Sequence, residues 1–159
     1  MIKAIERKVW IFQGNPIRYR LYQSLCNENL KEAAWLVSRY RDEIHIGDIA
    51  LIWKARYRNG IYAVGEVTSS PQEIYDLPES QPYWVDPLDR NKKALRVIIH
   101  YRLKLSLITA LTSKELRAIT ELSHMEILTQ KVGTNFKVRP SEWQIISDLL
   151  KRKYNFEIV

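Results

Sequence analysis

The amino-acid sequence predicts a domain of the α+β class, with a small mixed or closed sheet of five to six strands and about three peripheral helices. The length of 159 residues suits one domain and is short for two independent ones. Several short β-rich runs alternate with turn signals, and helical periodicity is confined to a few separate segments. We therefore treat residues 1–159 as a single domain.

The first predicted elements are a buried strand and an amphipathic helix. A compact apolar run over 8–13 stops at a Gly-Asn-Pro turn. Asn15 is a suitable N-cap and Pro16 suits the first helical position, so the sequence predicts that a helix begins there. Its apolar face would consist of residues that recur every four positions, namely Ile17, Leu21 and Leu25.

The next predicted elements are strands. Residues 33–38 form a short strand candidate. Residues 49–54 and 60–68 are apolar and β-rich, and the short basic loop between them predicts a hairpin. Residues 94–105 alternate between apolar and polar side chains, which predicts another long strand.

A long connection over 71–91 precedes that last strand. It contains four prolines and the aromatic residues Tyr75, Tyr83 and Trp84. Loops of this length in compact domains are usually either functional or disordered. The aromatic residues favour a functional loop.

The C-terminal part of the chain contains further helix signals. Thr112 and Glu115 have the spacing of a capping box, which predicts a short helix. A polar, glycine-containing stretch over 131–138 ends in a strand candidate. Residues 141–153 predict the final helix, because Trp143 and three aliphatic residues share one face and basic residues gather near its end.

Charge and aromatic content favour a nucleic-acid partner. The formal net charge is +7 and the pI is about 9.5, and clustered Lys and Arg attract polyanions. Five Trp and nine Tyr exceed what one core needs, and their faces are the usual platforms for unstacked bases. No apolar run has the length of a membrane span, and a single cysteine, Cys26, suits the reducing cytoplasm.

The sequence shows no convincing catalytic or metal-binding constellation. The three histidines are not at metal-ligand spacing. Asp48 and Glu66 flank the hairpin as a conceivable carboxylate pair, but a turn role for Asp48 and a solvated or ion-paired Glu66 fit better. No phosphate loop or nucleophile motif is visible. We therefore predict a binding module that is not an enzyme and uses no metal or cofactor.

Several segments occur in an order that resembles the EVE domain. They are VWIFQGNP at 9–16, Trp35, GDIALIWK at 47–54, GIYAVGEV at 60–67, GTNF at 133–136, and Glu142 with Trp143. The resemblance covers nearly the whole chain. It implies a PUA-like fold, related to the YTH domain, with a curved or barrel-like mixed β-sheet flanked by helices.

The resemblance also implies a function. EVE domains and their YTH relatives are associated with recognising modified bases, such as methylcytosine or methyladenine, in DNA or RNA. They often accompany restriction or other defence machinery. The expectation is a reader of nucleic acid carrying a modified base, with an effector nuclease or ATPase as a partner.

The implied base-binding pocket lies where the first strand ends, beside the second strand and under the long loop. Trp35 and Trp84 stand where YTH relatives have base-caging tryptophans, with Tyr83 or Tyr75 as alternatives to Trp84. The predicted pocket residues are Gln13, Gly14, Asn15, Trp35, Ser38, Trp84, Gly133, Thr134 and Asn135. The predicted phosphate contacts are basic side chains: Arg39, Arg41, Arg56, Arg58, Lys131, Lys137 and Arg139.

Other roles stay open for several of these residues. Trp10, Trp53 and Trp143 fit a core role better than a cage role. Asn15 fits a helix cap as well as a base contact.

Three other functions also stay open. A PUA-like RNA-binding module would bind modified and plain oligonucleotides equally. A small ASCH-like hydrolase would need an acid or base in the pocket, for which Lys54 with Glu66 is the only pair to nominate. A protein-interaction domain would show no steep dependence of nucleic-acid binding on salt.

Overall fold

Eight strands form one mixed sheet in the computed structural model, which describes residues 7–130 and 132–158. The strands are β1 (Val9–Gly14), β2 (Glu32–Leu36), β3 (Ile49–Lys54), β4 (Gly60–Val67), β5 (Gln72–Ile74), β6 (Ala94–Lys104), β7 (Leu111–Thr112) and β8 (Asn135–Val138). The helices are α1 (Leu21–Cys26), α2 (Pro87–Arg90), α3 (Ser113–Arg117), α4 (Glu126–Thr129) and α5 (Pro140–Tyr154). None of these described helices is long and apolar enough to cross a membrane.

The strand order is β2-β6-β4-β3-β1-β8, with β5 beside β6 and β7 beside β4. Strands β1 and β3 are parallel, and the other pairs are antiparallel. The sheet curls into a half-barrel. Register shifts at Ile52/Trp53 and at Val64/Gly65 contribute, since bulges increase twist and bend a strand. A side chain on Gly65 would lie 2.4 Å from the carbonyl of His100, so only glycine permits this approach.

Alternating side chains give the sheet two apolar faces. Trp10 and Phe12 of β1 pack with Trp35 and Trp84 in one buried cluster. Val9 and Ile11 project the opposite way and pack with apolar residues of α3, α4 and α5 in a second cluster. The helical layer therefore covers one face, and the segments around α1 and the long loop cover the other.

One side chain makes several of the hydrogen bonds that join the two end strands of the sheet. Asn135, which is completely buried, accepts hydrogen bonds at Oδ1 from the backbone nitrogens of Ser38 (2.9 Å) and Arg39 (3.1 Å) just beyond β2. Its Nδ2 donates to the carbonyl of Arg39 at 2.7 Å. These bonds join the start of β8 to the end of β2 and hold the sheet curled.

Most of the predicted elements are present. The hairpin, the long strand after the loop, the last helix and the helix capped by Thr112 are confirmed, and the Thr112 hydroxyl accepts from the Glu115 nitrogen at 3.3 Å. The strand and helix counts were too low, because short elements such as β5 and β7 have no periodicity of their own. The connection over 71–91 is structured, containing β5, a 3-10 turn and α2.

The predicted start of the first helix was wrong. The helix begins at Leu21, and Ile17 is 57% exposed instead of lying on a buried face. Residues 18–20 pair with the long loop instead: Arg20 donates to the carbonyl of Tyr83, and Val85 donates to the carbonyl of Arg18. Asn15 caps a tight turn, where its Oδ1 accepts from the Ile17 nitrogen at 3.1 Å.

Candidate nucleic-acid interface

A cavity of about 390 Å³ opens on the face of the sheet that α1 and the long loop cover. This volume is within the range of about 300 to 1,000 Å³ that is typical of small-molecule sites. Seven of the predicted pocket residues line it: Gln13, Gly14, Asn15, Trp35, Trp84, Gly133 and Thr134. Chain segments far apart in sequence therefore converge on one concave site.

Aromatic rings form the apolar wall of the cavity. Trp35 and Trp84 are 7% and 8% exposed, so each ring is embedded in the core and also borders the cavity. Tyr19 lies between them, with its ring centroid 5.0 Å from that of Trp84 and 6.1 Å from that of Trp35. Burial raises the pKa of Tyr19 to about 12, which keeps its phenol protonated at neutral pH.

A hydrogen bond donated by each indole nitrogen fixes the two tryptophans. Trp35 Nε1 donates to the Tyr101 hydroxyl at 2.9 Å. Trp84 Nε1 donates to Asp76 Oδ2 at 2.8 Å. Because both N–H groups are bonded to protein acceptors, the rings can offer a ligand their faces and edges but not these donors.

Asp76 anchors the loop side of the cavity. It is 3% exposed, and its Oδ1 also accepts from the backbone nitrogens of Ala34 (3.1 Å) and Leu77 (2.8 Å). The buried guanidinium of Arg96 lies 5.5 Å from the Trp84 ring and donates to the Ala34 carbonyl at 3.2 Å. Burial lowers the pKa of Arg96, and the negative charge of Asp76 opposes that shift.

Polar groups from β1 and from the segment before β8 form the other wall. Gln13 Nε2 donates to the Gly133 carbonyl at 2.9 Å. The Thr134 hydroxyl donates to the Ser38 hydroxyl at 2.8 Å. Asn15 Oδ1 accepts from Arg56 Nε at 3.1 Å, whereas Asn15 Nδ2 has no hydrogen-bond partner among the described residues. That amide nitrogen is therefore a donor available at the cavity rim.

Two predicted pocket residues do not line the cavity. Ser38 lies next to it and bonds with Thr134. Asn135 uses both ends of its amide to bond the main chain at Ser38 and Arg39, so we correct its role from base contact to wall support.

The predicted phosphate contacts do not form one cluster. Arg56, held at a left-handed φ of 69°, reaches the cavity rim through its bond to Asn15. Arg39 pairs with Glu126, packs over Phe136 and donates to the carbonyl of the cavity residue Val132 at 3.4 Å, and its phosphate contact stays a prediction.

The remaining predicted phosphate contacts lie elsewhere. Lys137 and Arg139 are toward the far end of β8, where they pair with Glu43 at 3.0 Å and Glu142 at 2.8 Å. Arg41 and Arg58 are exposed outside the cavity lining, and Lys131 falls outside the described residues.

The candidate acid/base groups do not converge on the cavity. Asp48 has the predicted turn role and accepts from Trp10 Nε1 at 2.8 Å and from the His45 nitrogen at 2.9 Å. Lys54 pairs with Gly60 at the loop end of the β3–β4 hairpin, whereas Glu66 pairs with Ile49 at its open end. The two side chains therefore start about 17 Å apart along β3. Within the described chain, no three His, Cys, Asp or Glu side chains are placed to hold a metal ion.

Several cavity residues had no clear signal in the sequence, including Arg18, Tyr19, Asp76 and Ser80. Asp76 could have been suspected, because a buried Trp in the loop needs an acceptor for its indole N–H. Arg18 is near the opening and pairs with Asp89 at 3.0 Å.

A curled mixed sheet with this cavity defines a small domain of the PUA-like class. The sequence matches the EVE domain over residues 8–149, so the chain belongs to the EVE domain family. A search of curated proteins gave no match.

Solved structures share the fold at low sequence identity. A hypothetical protein from Leishmania major has a TM-score of 0.66 at 18% identity, covering 92% of this chain and 96% of that one. Human THYN1, solved in complex with 5-methylcytosine-containing DNA, has a TM-score of 0.61 at 14% identity, covering 89% and 96%. A mutant ZmASCH protein from Zymomonas mobilis has a TM-score of 0.54 at 9% identity, covering 90% and 96%.

Proposed function

We propose that this domain is a non-catalytic reader that takes one displaced base of a nucleic acid into its aromatic cavity and prefers a modified base, such as methylcytosine or methyladenine. The observation that carries the proposal is the cavity itself, which is walled by Trp35 and Trp84 and opens beside Asn15. The DNA bound by human THYN1 supports this choice of ligand.

The free energy needed to displace a base is comparable to what the aromatic cavity wall can supply. Displacing a base from its stack costs a few kcal/mol, and stacking on one aromatic side chain contributes about 1 to 3 kcal/mol. Two indole rings therefore offset the cost. The amides of Asn15 and Gln13 and the Thr134 hydroxyl supply the polar groups that identify a base edge.

A binding role fits the cavity better than an enzymatic one. Asp76 is the carboxylate that lines the cavity, and its two oxygens already accept three hydrogen bonds from the protein. A carboxylate bonded by three protein donors in this way is poorly placed to take a proton from a substrate. An effector nuclease or ATPase that acts after recognition is part of the same proposal.

The test is an affinity comparison by fluorescence anisotropy. Oligonucleotides of one sequence, carrying methylcytosine, hydroxymethylcytosine, methyladenine or no modification, are titrated with the protein. We expect at least a fourfold preference for one modified base, because burying a methyl group contributes about 0.8 kcal/mol. Binding should also weaken steeply as the salt concentration rises. Equal affinity for all oligonucleotides would contradict the reader function.

A tryptophan variant connects this preference to the cavity. Trp84→Leu keeps an apolar side chain but removes the stacking face, so we expect about tenfold weaker binding of the preferred oligonucleotide. Trp143→Leu is the matched control, because Trp143 packs with the opposite apolar cluster. Thermal unfolding of both variants separates a binding effect from a folding effect.

A further inference from the structure

Large aliphatic side chains are exposed around the mouth of the cavity. Val132 lines the cavity, and Ile17 lies one position before Arg18, which also lines it. Val85 and Leu88 are held close to the mouth, because Val85 donates to the Arg18 carbonyl at 2.9 Å and α2 carries the Asp89 that pairs with Arg18. These four make up half of the eight large hydrophobic side chains that are exposed in the described chain.

This clustering sets the four side chains apart from ordinary exposed apolar residues. Single exposed aliphatic residues are normal on protein surfaces. Here Val132 lines the cavity and the other three lie next to Arg18 or to residues that bond it, while Arg56 reaches the same rim through Asn15. Both arginines are cations of the kind that contact phosphates. An apolar rim between cations suits a ligand with a charged backbone and an apolar interior, which describes a base-paired helix.

The rim side chains are aliphatic, and this property favours a duplex over a single strand. Proteins that bind single strands stack the bases on aromatic platforms. Proteins that open a duplex insert aliphatic wedges such as Ile or Leu between base steps. A base taken from a duplex leaves a gap in the stack, and an aliphatic side chain that enters this gap excludes water from it.

Ile17 is the rim residue best held for such insertion. It is 57% exposed at the tip of a tight turn, in which Asn15 accepts from the backbone nitrogens of Ile17, Arg18 and Tyr19. Its β-branched side chain has few rotamers and loses little entropy when it becomes ordered. The same turn carries Asn15 at the cavity rim, so the wedge and the pocket share one rigid segment.

Resting on the proposed function, we propose that the ligand is duplex DNA and that Ile17, supported by Leu88, enters the space that the displaced base leaves. The aliphatic rim then replaces the lost stacking on the DNA side, while the indole rings stack on the base inside the cavity. Arg18 and Arg56 contact the phosphates that flank the displaced nucleotide.

The test compares two isoleucine variants on two forms of the same DNA. Ile17→Ser removes the wedge. Ile46→Ser is the matched control, because Ile46 is 64% exposed and lies just before the start of β3, at the opposite end of that strand from Arg56. Each variant is titrated into a duplex carrying one modified base and into the modified strand alone. For Ile17→Ser we expect about tenfold weaker binding to the duplex and less than a twofold change for the single strand. Ile46→Ser should bind both like the wild type.

Other outcomes overturn the wedge. An equal loss of affinity for the duplex and the single strand would show that Ile17 contacts the nucleic acid without acting as a wedge. No loss of affinity for the duplex would show that Ile17 lies outside the interface. A wild-type protein that prefers the modified single strand would overturn the duplex inference but leave the reader function intact. A wild-type protein that binds neither form would overturn both.

Discussion

Replacing Asn135 by alanine should lower the free energy of unfolding by about 3 to 5 kcal/mol. The buried amide accepts from the backbone nitrogens of Ser38 and Arg39 and donates to the carbonyl of Arg39. Alanine removes all three hydrogen bonds, each of which contributes about 1 kcal/mol, and leaves a gap at a completely buried position. The loss would also weaken the junction between the end of β2 and the start of β8, where the sheet curls around the cavity.

Urea denaturation followed by circular dichroism measures this change. Asn29→Ala is the matched control, because Asn29 is exposed and its side chain makes no hydrogen bond in the described chain. A loss for Asn135→Ala no larger than that of the control, or below about 0.5 kcal/mol, would mean that the side chain does not close the sheet.

Replacing Asp76 by asparagine should destabilise the fold by about 2 to 4 kcal/mol and weaken oligonucleotide binding. All three groups bonded to this carboxylate are donors: the nitrogens of Ala34 and Leu77 and the indole of Trp84. An asparagine has one acceptor oxygen, so its own N–H₂ group must face at least one of these donors. The substitution also removes the negative charge near the buried Arg96.

The effect of Asp76→Asn on binding distinguishes a local change in the cavity wall from a general loss of stability. Because Asp76 orients Trp84, the affinity for the preferred oligonucleotide should fall even at temperatures where the variant remains folded. Asp42→Asn, a change at an exposed site, controls for the loss of one charge. A variant as stable and as tightly binding as wild type would show that Asp76 does not fix the indole.

Elements with local signals were predictable from the sequence. The hairpin of β3 and β4 follows from two β-rich runs and a short loop, and the helix after Thr112 follows from a capping box four residues long. The family resemblance located Trp35 and Trp84, which the structure places on one cavity. That these residues bind a base stays a prediction.

Features that depend on long-range contacts were not predictable. The periodicity of Ile17, Leu21 and Leu25 favours a helix, but pairing of residues 18–20 with the long loop overrides it. Asp76 is 42 residues from Ala34 in sequence, and no local pattern indicates that they bond. Asn135 looked like a ligand contact by type, yet the curl of the sheet directs its amide into structural bonds.

The most direct test of base capture is the response of the tryptophan indole N–H signals in a nitrogen-15 correlation spectrum. The five tryptophans give one such signal each. On titration with a duplex carrying the preferred modified base, we predict that the signals of Trp35 and Trp84 shift through the ring current of the stacked base. The signals of Trp53 and Trp143, which lie in the opposite cluster, should stay in place. Saturating binding that leaves the Trp35 and Trp84 signals unmoved would contradict the account.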